Sequence, residues 1–169
     1  MKHILEIAEA QLDRTQDFFP RIDAKLTGLL ALMLGQIAIL VINLKGDDLR
    51  LLYIDAFATL FGALILAAGV RLFLCAAPSI DGGNKQSLYF FDSITDRTRA
   101  EYISAFLQKS EEERVIDACE QVWQNSGIVK VKFEHLRWAT ILIVAAAAPW
   151  AATILCVSLA HHQMPTIKG

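Results

Sequence analysis

Two sets of side chains in this sequence could handle a small anion or a flat heterocycle. Basic residues gather at Arg21 and Lys25, and again at Arg97, Arg99, Lys130, Lys132 and Arg137. Arginine can grip a phosphate through a bidentate fork, and lysine meets it as a point charge. Tyr89, Phe90 and Phe91 are consecutive aromatics on which a base could stack, and the carboxamides of Asn84, Gln86, Gln121 or Asn125 could read its hydrogen-bonding edge. A plainer account fits the same residues. Basic side chains at cytoplasmic helix ends attract anionic lipid, and aromatics beyond a span anchor it at the interface. Catalytic patterns are missing: there is no G-x-S-x-G, H-E-x-x-H, Walker loop or G-x-G-x-x-G. The expectation is a protein that is not an enzyme and carries no resident cofactor. His161 and His162 are adjacent, so on a helix they project about 100° apart and make a poor metal pair. Cys75, Cys119 and Cys156 show no C-x₂-C spacing and read as buried or membrane thiols.

The elements that must position these groups follow from where the apolar residues lie. The chain has 169 residues, 54% hydrophobic and 20% charged, against about 45–50% and about 25% in ordinary soluble domains. The excess is pooled. Residues 26–44 and 138–160 carry no formal charge, and 51–70 carry one, Asp55. A bilayer core about 30 Å thick needs about 20 apolar helical residues, so each stretch is long enough to cross it. A soluble single-domain enzyme is excluded on this ground. The fold class predicted is an all-α membrane protein: three transmembrane helices with a small helical cytoplasmic extension.

Charge sets the direction. With the N-terminus inside, thirteen Lys and Arg residues lie on the cytoplasmic side and three outside, as the positive-inside rule requires. The order predicted is a cytoplasmic N-terminal helix (1–25), spans at 26–44 and 51–70, a cytoplasmic sensor or stalk segment (71–137), the third span (138–160) and an outer tail (161–169). No cleavable signal peptide is expected, since 1–25 lacks the apolar h-region of one. The net charge of −2 gives no reason to expect a nucleic-acid partner. Lys45-Gly46-Asp47-Asp48 turns the first two spans into a hairpin.

Within the spans, Gly28, Ala31, Gly35 and Ala38 form a small-residue stripe beside Gln36 and Asn43, a pattern that lets helix backbones approach in lipid. Asp55 reads either as a sensing carboxylate or as one bonded to Asn43 or Lys45 at a wet helix end. Pro149 should kink the third span unless a neighbour satisfies the freed carbonyl.

On the cytoplasmic side, Pro78-Ser79-Ile80-Asp81-Gly82-Gly83 reads as a loop. Thr98-x-x-Glu101 and Ser110-x-x-Glu113 are capping boxes, the first opening a short helix with apolar Tyr102, Ile103, Phe106 and Leu107. Val115, Cys119, Val122, Ser126, Val129, Phe133 and Leu136 recur at spacings of four and three and predict a packed seam. That seam enters the third span without a proline, which predicts one long helix from Glu111 through the membrane, with Asn125-Ser126-Gly127 as a place where it could loosen.

Several of these residues carry a resemblance. Arg21-Ile22-Asp23-Ala24-Lys25-Leu26-Thr27-Gly28-Leu29-Leu30 resembles the R-x-D-x-K-x-x-x-L-L signature of the transmembrane effectors of Pycsar anti-phage systems. Tyr89-Phe90 followed by Asp92-Ser93-Ile94 resembles that family's aromatic-Phe-x-Asp-x-Ile element, although Phe91 stands where a small residue is usual. Gln121, Ser126, Ile128, Lys132, Leu136 and Arg137 resemble the segment that leads into its last span. The likeness covers 21–31 and 87–155.

The resemblance implies a bacterial inner-membrane protein activated by cyclic CMP or cyclic UMP from a partner nucleotide cyclase. Such an effector impairs the membrane and kills the cell before phage mature, an abortive infection. The positions that match are Arg21, Asp23, Lys25, Tyr89, Phe90, Gln121 and Lys132; Asp23 and Lys25 could equally pair with each other. A homo-oligomer closed through the small-residue stripes is the assembly expected. A ligand-independent pore of holin or toxin type, or a scaffolding membrane protein, is the alternative that the spans alone also allow.

Overall fold

The computed structural model describes residues 2–77 and 87–163. The expected 78–83 loop, Asn84, Gln86 and the end of the tail lie outside the described residues, as does the His162 side chain. Every regular element described is helical: α1 (Lys2–Gln16), α2 (Phe18–Asn43), a 3₁₀ turn (Asp48–Arg50), α3 (Leu52–Ala76), α4 (Phe91–Thr95), α5 (Arg99–Gln108) and α6 (Glu111–Gln163). Three helical stretches are long and apolar enough to cross a bilayer. The chain is an all-α membrane protein. It divides into two compact units, Met1–Asp23 with Ala77–Phe133, and Ala24–Ala76 with Glu134–Gly169.

The second unit is the apolar one. Its core joins Met33 and Leu40 of α2, Phe61, Ile65, Ala68 and Leu72 of α3, and Ala139, Ile143 and Ala146 of α6. Spacings of three and four keep each set on one helix face. Ala68, Ala139 and Ala146 are fully buried, so close approach here rests on alanines of α3 and α6. The small-residue stripe of α2 does something else. Gly28, Ala31, Gly35 and Ala38 are exposed, and a Cβ added at Gly28 or Gly35 would meet nothing within 4 Å. The Met33–Gln36–Leu40 face turns inward instead, because its larger side chains fill the centre and gain more dispersion contacts.

Several polar groups in this unit bond to backbone carbonyls, while the buried Gln36 Oε1 has no partner among the described residues. The Trp150 indole N–H donates to the Gln36 backbone carbonyl at 2.9 Å, and the Thr153 hydroxyl donates to the Pro149 carbonyl at 2.8 Å. Asn43 does not share an inward face with Gln36; it is exposed and donates to the Ile39 carbonyl of its own helix at 2.7 Å. α6 continues as helix through both Asn125-Ser126-Gly127 and Pro149.

At the α2–α3 hairpin the structural carboxylate is Asp48, with Asp55 exposed on α3. Asp48 Oδ2 accepts the Lys45 backbone N–H at 2.8 Å, and its Oδ1 lies 3.0 Å from His161 Nε2 near the end of α6. One buried carboxylate therefore ties the hairpin to a residue 113 positions away. The Lys45 N–H, and after it the His161 side chain, hold the Asp48 carboxyl below the ordinary carboxylate range against the opposing effect of burial. A carboxyl lowered in this way stabilises the fold above its unfolded pKa, and the contribution vanishes as pH falls through the folded value. Thermal unfolding in detergent, followed by circular dichroism from neutral to strongly acidic pH, should show a midpoint that drops in acid. Asp48→Asn should lower the neutral midpoint and flatten part of that acid slope.

Candidate functional site

The site lies in the first unit and starts from a proline. Pro20 has no N–H to give to the Gln16 carbonyl, and its ring crowds that turn, so α1 stops at Gln16 and α2 begins at Phe18. The Asp17 N–H still bonds the Asp13 carbonyl at 2.9 Å. The interruption is thus a single residue, and Gln16 and Phe19 flank it.

A short extended segment supplies the aromatics. Ser87 and Leu88 are buried, at 1% and 3% exposure. The Ser87 hydroxyl accepts the Tyr89 and Phe90 backbone N–H groups at 3.1 and 3.2 Å, a side-chain turn that fixes the chain's direction. The Leu88 N–H donates to Asp117 Oδ2 on α6 at 2.8 Å. Lys109 donates to the same oxygen, also at 2.8 Å, across a pair that is largely buried. The Tyr89 hydroxyl donates to Glu9 of α1 at 2.8 Å. Burial first, and then that carboxylate, push the Tyr89 phenol far above its ordinary pKa, so it remains a neutral donor. Phe91 opens α4 with 64% of its surface exposed, and its ring lies 5.0 Å from that of Phe90. As the first residue of a helix, position 91 needs no small side chain.

The capping boxes fix α5 and the start of α6. Glu101 accepts the Thr98 N–H at 2.8 Å while Thr98 accepts the Glu101 N–H at 3.3 Å; Ser110 and Glu113 repeat both distances. Arg114 donates to the Phe106 carbonyl at 2.7 Å and stacks over its ring at 4.6 Å, satisfying one of the orphan carbonyls at the end of α5. Ile103, Phe106 and Leu107 on α5 stay exposed.

The α1–α2 break, the 89–91 segment and α6 line an open cavity of about 430 Å³, within the range of small-molecule sites. Phe19, Tyr89, Phe90 and Phe91 give it aromatic walls; Gln16, Gln121 and Asn125 bring carboxamides; Ile128 and Lys132 complete it. Gln121 is 4% exposed. Flat aromatic walls, amide edges and the Lys132 ammonium suit binding of a planar, anionic ligand, and the described lining residues include no serine, cysteine, histidine or carboxylate.

Of the residues singled out from sequence, Tyr89, Phe90, Phe91, Gln121, Asn125 and Lys132 line one cavity. Arg21, Asp23 and Lys25 do not. Arg21 is exposed with its guanidinium 5.7 Å from the Phe18 ring; Asp23 is exposed in the same unit, and Lys25 is exposed in the membrane unit. Gln16, Phe19 and Ile128 were not legible as lining residues, although Gln16, four residues before Pro20, marked where the helix must break. The predicted seam needs correction: Cys119 and Ser126 are exposed, and the buried line runs through Asp117, Ala118, Gln121 and Val129. Val129 and Leu136 are buried as the seam predicts; ahead of them apolar periodicity pointed one residue off because two buried positions are polar, one of them bonded to the 87–90 segment.

Asp117→Ala leaves the Leu88 N–H and the Lys109 ammonium without their shared acceptor. Removing one partner of a buried ion pair costs about 3–5 kcal/mol, and the loss should concentrate at the aromatic segment. Hydrogen exchange should show the amides of 88–90 losing protection before those of the membrane unit.

Comparison with known proteins supplies the remaining term. The PycTM family model, described as the Pycsar effector protein domain, matches residues 7–159. No curated protein and no solved structure matches the chain. The matched region runs from α1 through the cavity-bearing unit and all three candidate spans almost to the end of α6. The chain belongs to the Pycsar effector family, a membrane protein of anti-phage defence on the effector side of that system rather than the cyclase side.

Proposed function

We propose that the chain is an inner-membrane effector gated by a cyclic pyrimidine mononucleotide, cyclic CMP or cyclic UMP, bound in the cavity between the 89–91 segment and α6. A partner cyclase would supply the nucleotide on infection. Binding would favour an arrangement of the spans that leaks, ending the infection with the cell. The observation that carries this reading is the composition of the cavity: aromatic faces for a base, carboxamides for its edge and Lys132 for its phosphate, all in one unit. Arg21 and Lys25, outside the cavity, fit better as part of the positive-inside bias of an N-in, C-out chain. The outward-facing Gly28–Ala31–Gly35–Ala38 stripe supports packing between copies, since small residues let helices associate in lipid.

Purified protein in liposomes should release a trapped dye when cyclic CMP or cyclic UMP is added and hold it otherwise. Loss of a stacked base costs about 1–3 kcal/mol, so Phe90→Ala should raise the half-effective nucleotide concentration about tenfold or more. Lys132→Ala should do the same through the phosphate. In cells, expression should be tolerated without a cyclase and toxic with one. A leak that ignores nucleotide, with toxicity in both conditions, would mean a constitutive pore.

A further inference from the structure

Gln121 is the most buried polar side chain that lines the cavity, at 4% exposure. Neither its carboxamide nor that of Asn125 has a hydrogen-bond partner among the described residues. A carboxamide lining the cavity carries both donor and acceptor on one edge. That edge is the shape of a pyrimidine's own hydrogen-bonding edge.

The arrangement also has a direction. Gln121, Asn125, Ile128 and Lys132 follow one another at spacings of four, three and four, so they form one line on α6. Eleven residues at 1.5 Å each separate its ends by about 16 Å, with the amides at one end and the ammonium at the other. A nucleotide has the same polarity, a neutral hydrogen-bonding edge at one end and an anionic phosphate at the other.

Resting on the reading that this cavity takes a cyclic pyrimidine nucleotide, we infer that Gln121 reads the Watson–Crick edge of the base and, with Asn125, sets the preference between cytosine and uracil, while Lys132 serves the phosphate alike for both. The two bases differ at N3, an acceptor in cytosine and an N–H donor in uracil, and at position 4, where cytosine presents an amino donor and uracil a carbonyl acceptor. A glutamine matches either by turning its amide over. With Gln121 placed against position 4, a glutamate there accepts only, and so suits cytosine's amino group and repels uracil's carbonyl.

The test is nucleotide binding to the full chain in lipid nanodiscs, titrating cyclic CMP and cyclic UMP separately by calorimetry. Gln121→Glu should raise the ratio of the cyclic UMP to the cyclic CMP dissociation constant by about tenfold over the unmodified chain. Gln121→Leu, which keeps the volume without the edge, should weaken both and erase any preference the unmodified chain shows. Lys132→Gln should weaken both and leave their ratio unchanged. If Gln121→Glu binds neither nucleotide, the Leu variant alone decides. Unmodified protein that binds both, together with Gln121 variants whose ratio and affinity stay unchanged, overturns the assignment of Gln121 and leaves the cavity reading standing. Unmodified protein that binds neither nucleotide overturns both.

Discussion

One buried carboxylate holds the cavity-bearing unit in shape. Asp117 sits on α6 with 3% of its surface exposed, and a single oxygen accepts both the Leu88 N–H and the Lys109 ammonium. Carboxylates leave water at a cost of several kcal/mol unless they are paired and hydrogen-bonded, so these two contacts make its burial possible. They also decide where the aromatic segment lies. With the Leu88 N–H fixed and the Ser87 hydroxyl holding the next two amides, little freedom remains at Tyr89 and Phe90. The other Asp117 oxygen is buried without a partner among the described residues. A half-satisfied carboxylate is a poor choice for stability alone; here it is explained by the main chain it pins.

The same economy of contacts recurs in the membrane unit. Among the described residues the polar bonds across it are few: Trp150 to Gln36, Asp48 to His161, and Arg71 to His135. Lipid offers no hydrophobic reward for bringing apolar helices together, so van der Waals fit and such bonds must do the work. Three fully buried alanines show how the fit is reached. The face that carries glycines on α2 remains uncovered within one chain, where it costs nothing in lipid and is open to another helix.

Much of this architecture is legible in the sequence because bilayer thickness imposes a length that cannot be disguised. The charge-free stretches and the capping boxes at Thr98 and Ser110 each rest on a local rule, and each appears in the fold. Tyr89, Phe90, Gln121 and Lys132 were visible as chemistry, but their meeting in one cavity was not, since it depends on a contact between Leu88 and Asp117, 29 residues apart. The seam on α6 misled for a related reason. Periodicity counts apolar residues, and the buried line here includes Asp117 and Gln121, whose burial is set by hydrogen bonding and by the cavity rather than by hydrophobicity. Arg21 and Lys25 look like ligand residues for their charge, yet charge at a helix entrance is also what membrane topology demands, and spacing alone cannot separate the two.

Under the proposed nucleotide gating, energy limits what one occupied cavity can accomplish. Moving a closed-to-open population from 1:99 to 99:1 takes about 5.5 kcal/mol of preference for the open state. A stacked base contributes about 1–3 kcal/mol, and a hydrogen bond to a charged group about 1.5–3 kcal/mol, before any loss from ordering the ligand. Their sum approaches the requirement only if the resting state makes almost none of these contacts. A cavity fully formed in both states would bind nucleotide and shift nothing. Two ways out remain: either the 87–91 segment is released from α6 at rest, so that ligand and the Asp117 clamp assemble together, or several copies act in concert and each contributes a fraction. The first places the switch at the Leu88–Asp117 bond, and the second places it at the uncovered face of α2. In either case α6, unbroken from Glu111 to Gln163, is the element that carries both a wall of the cavity and a span of the membrane.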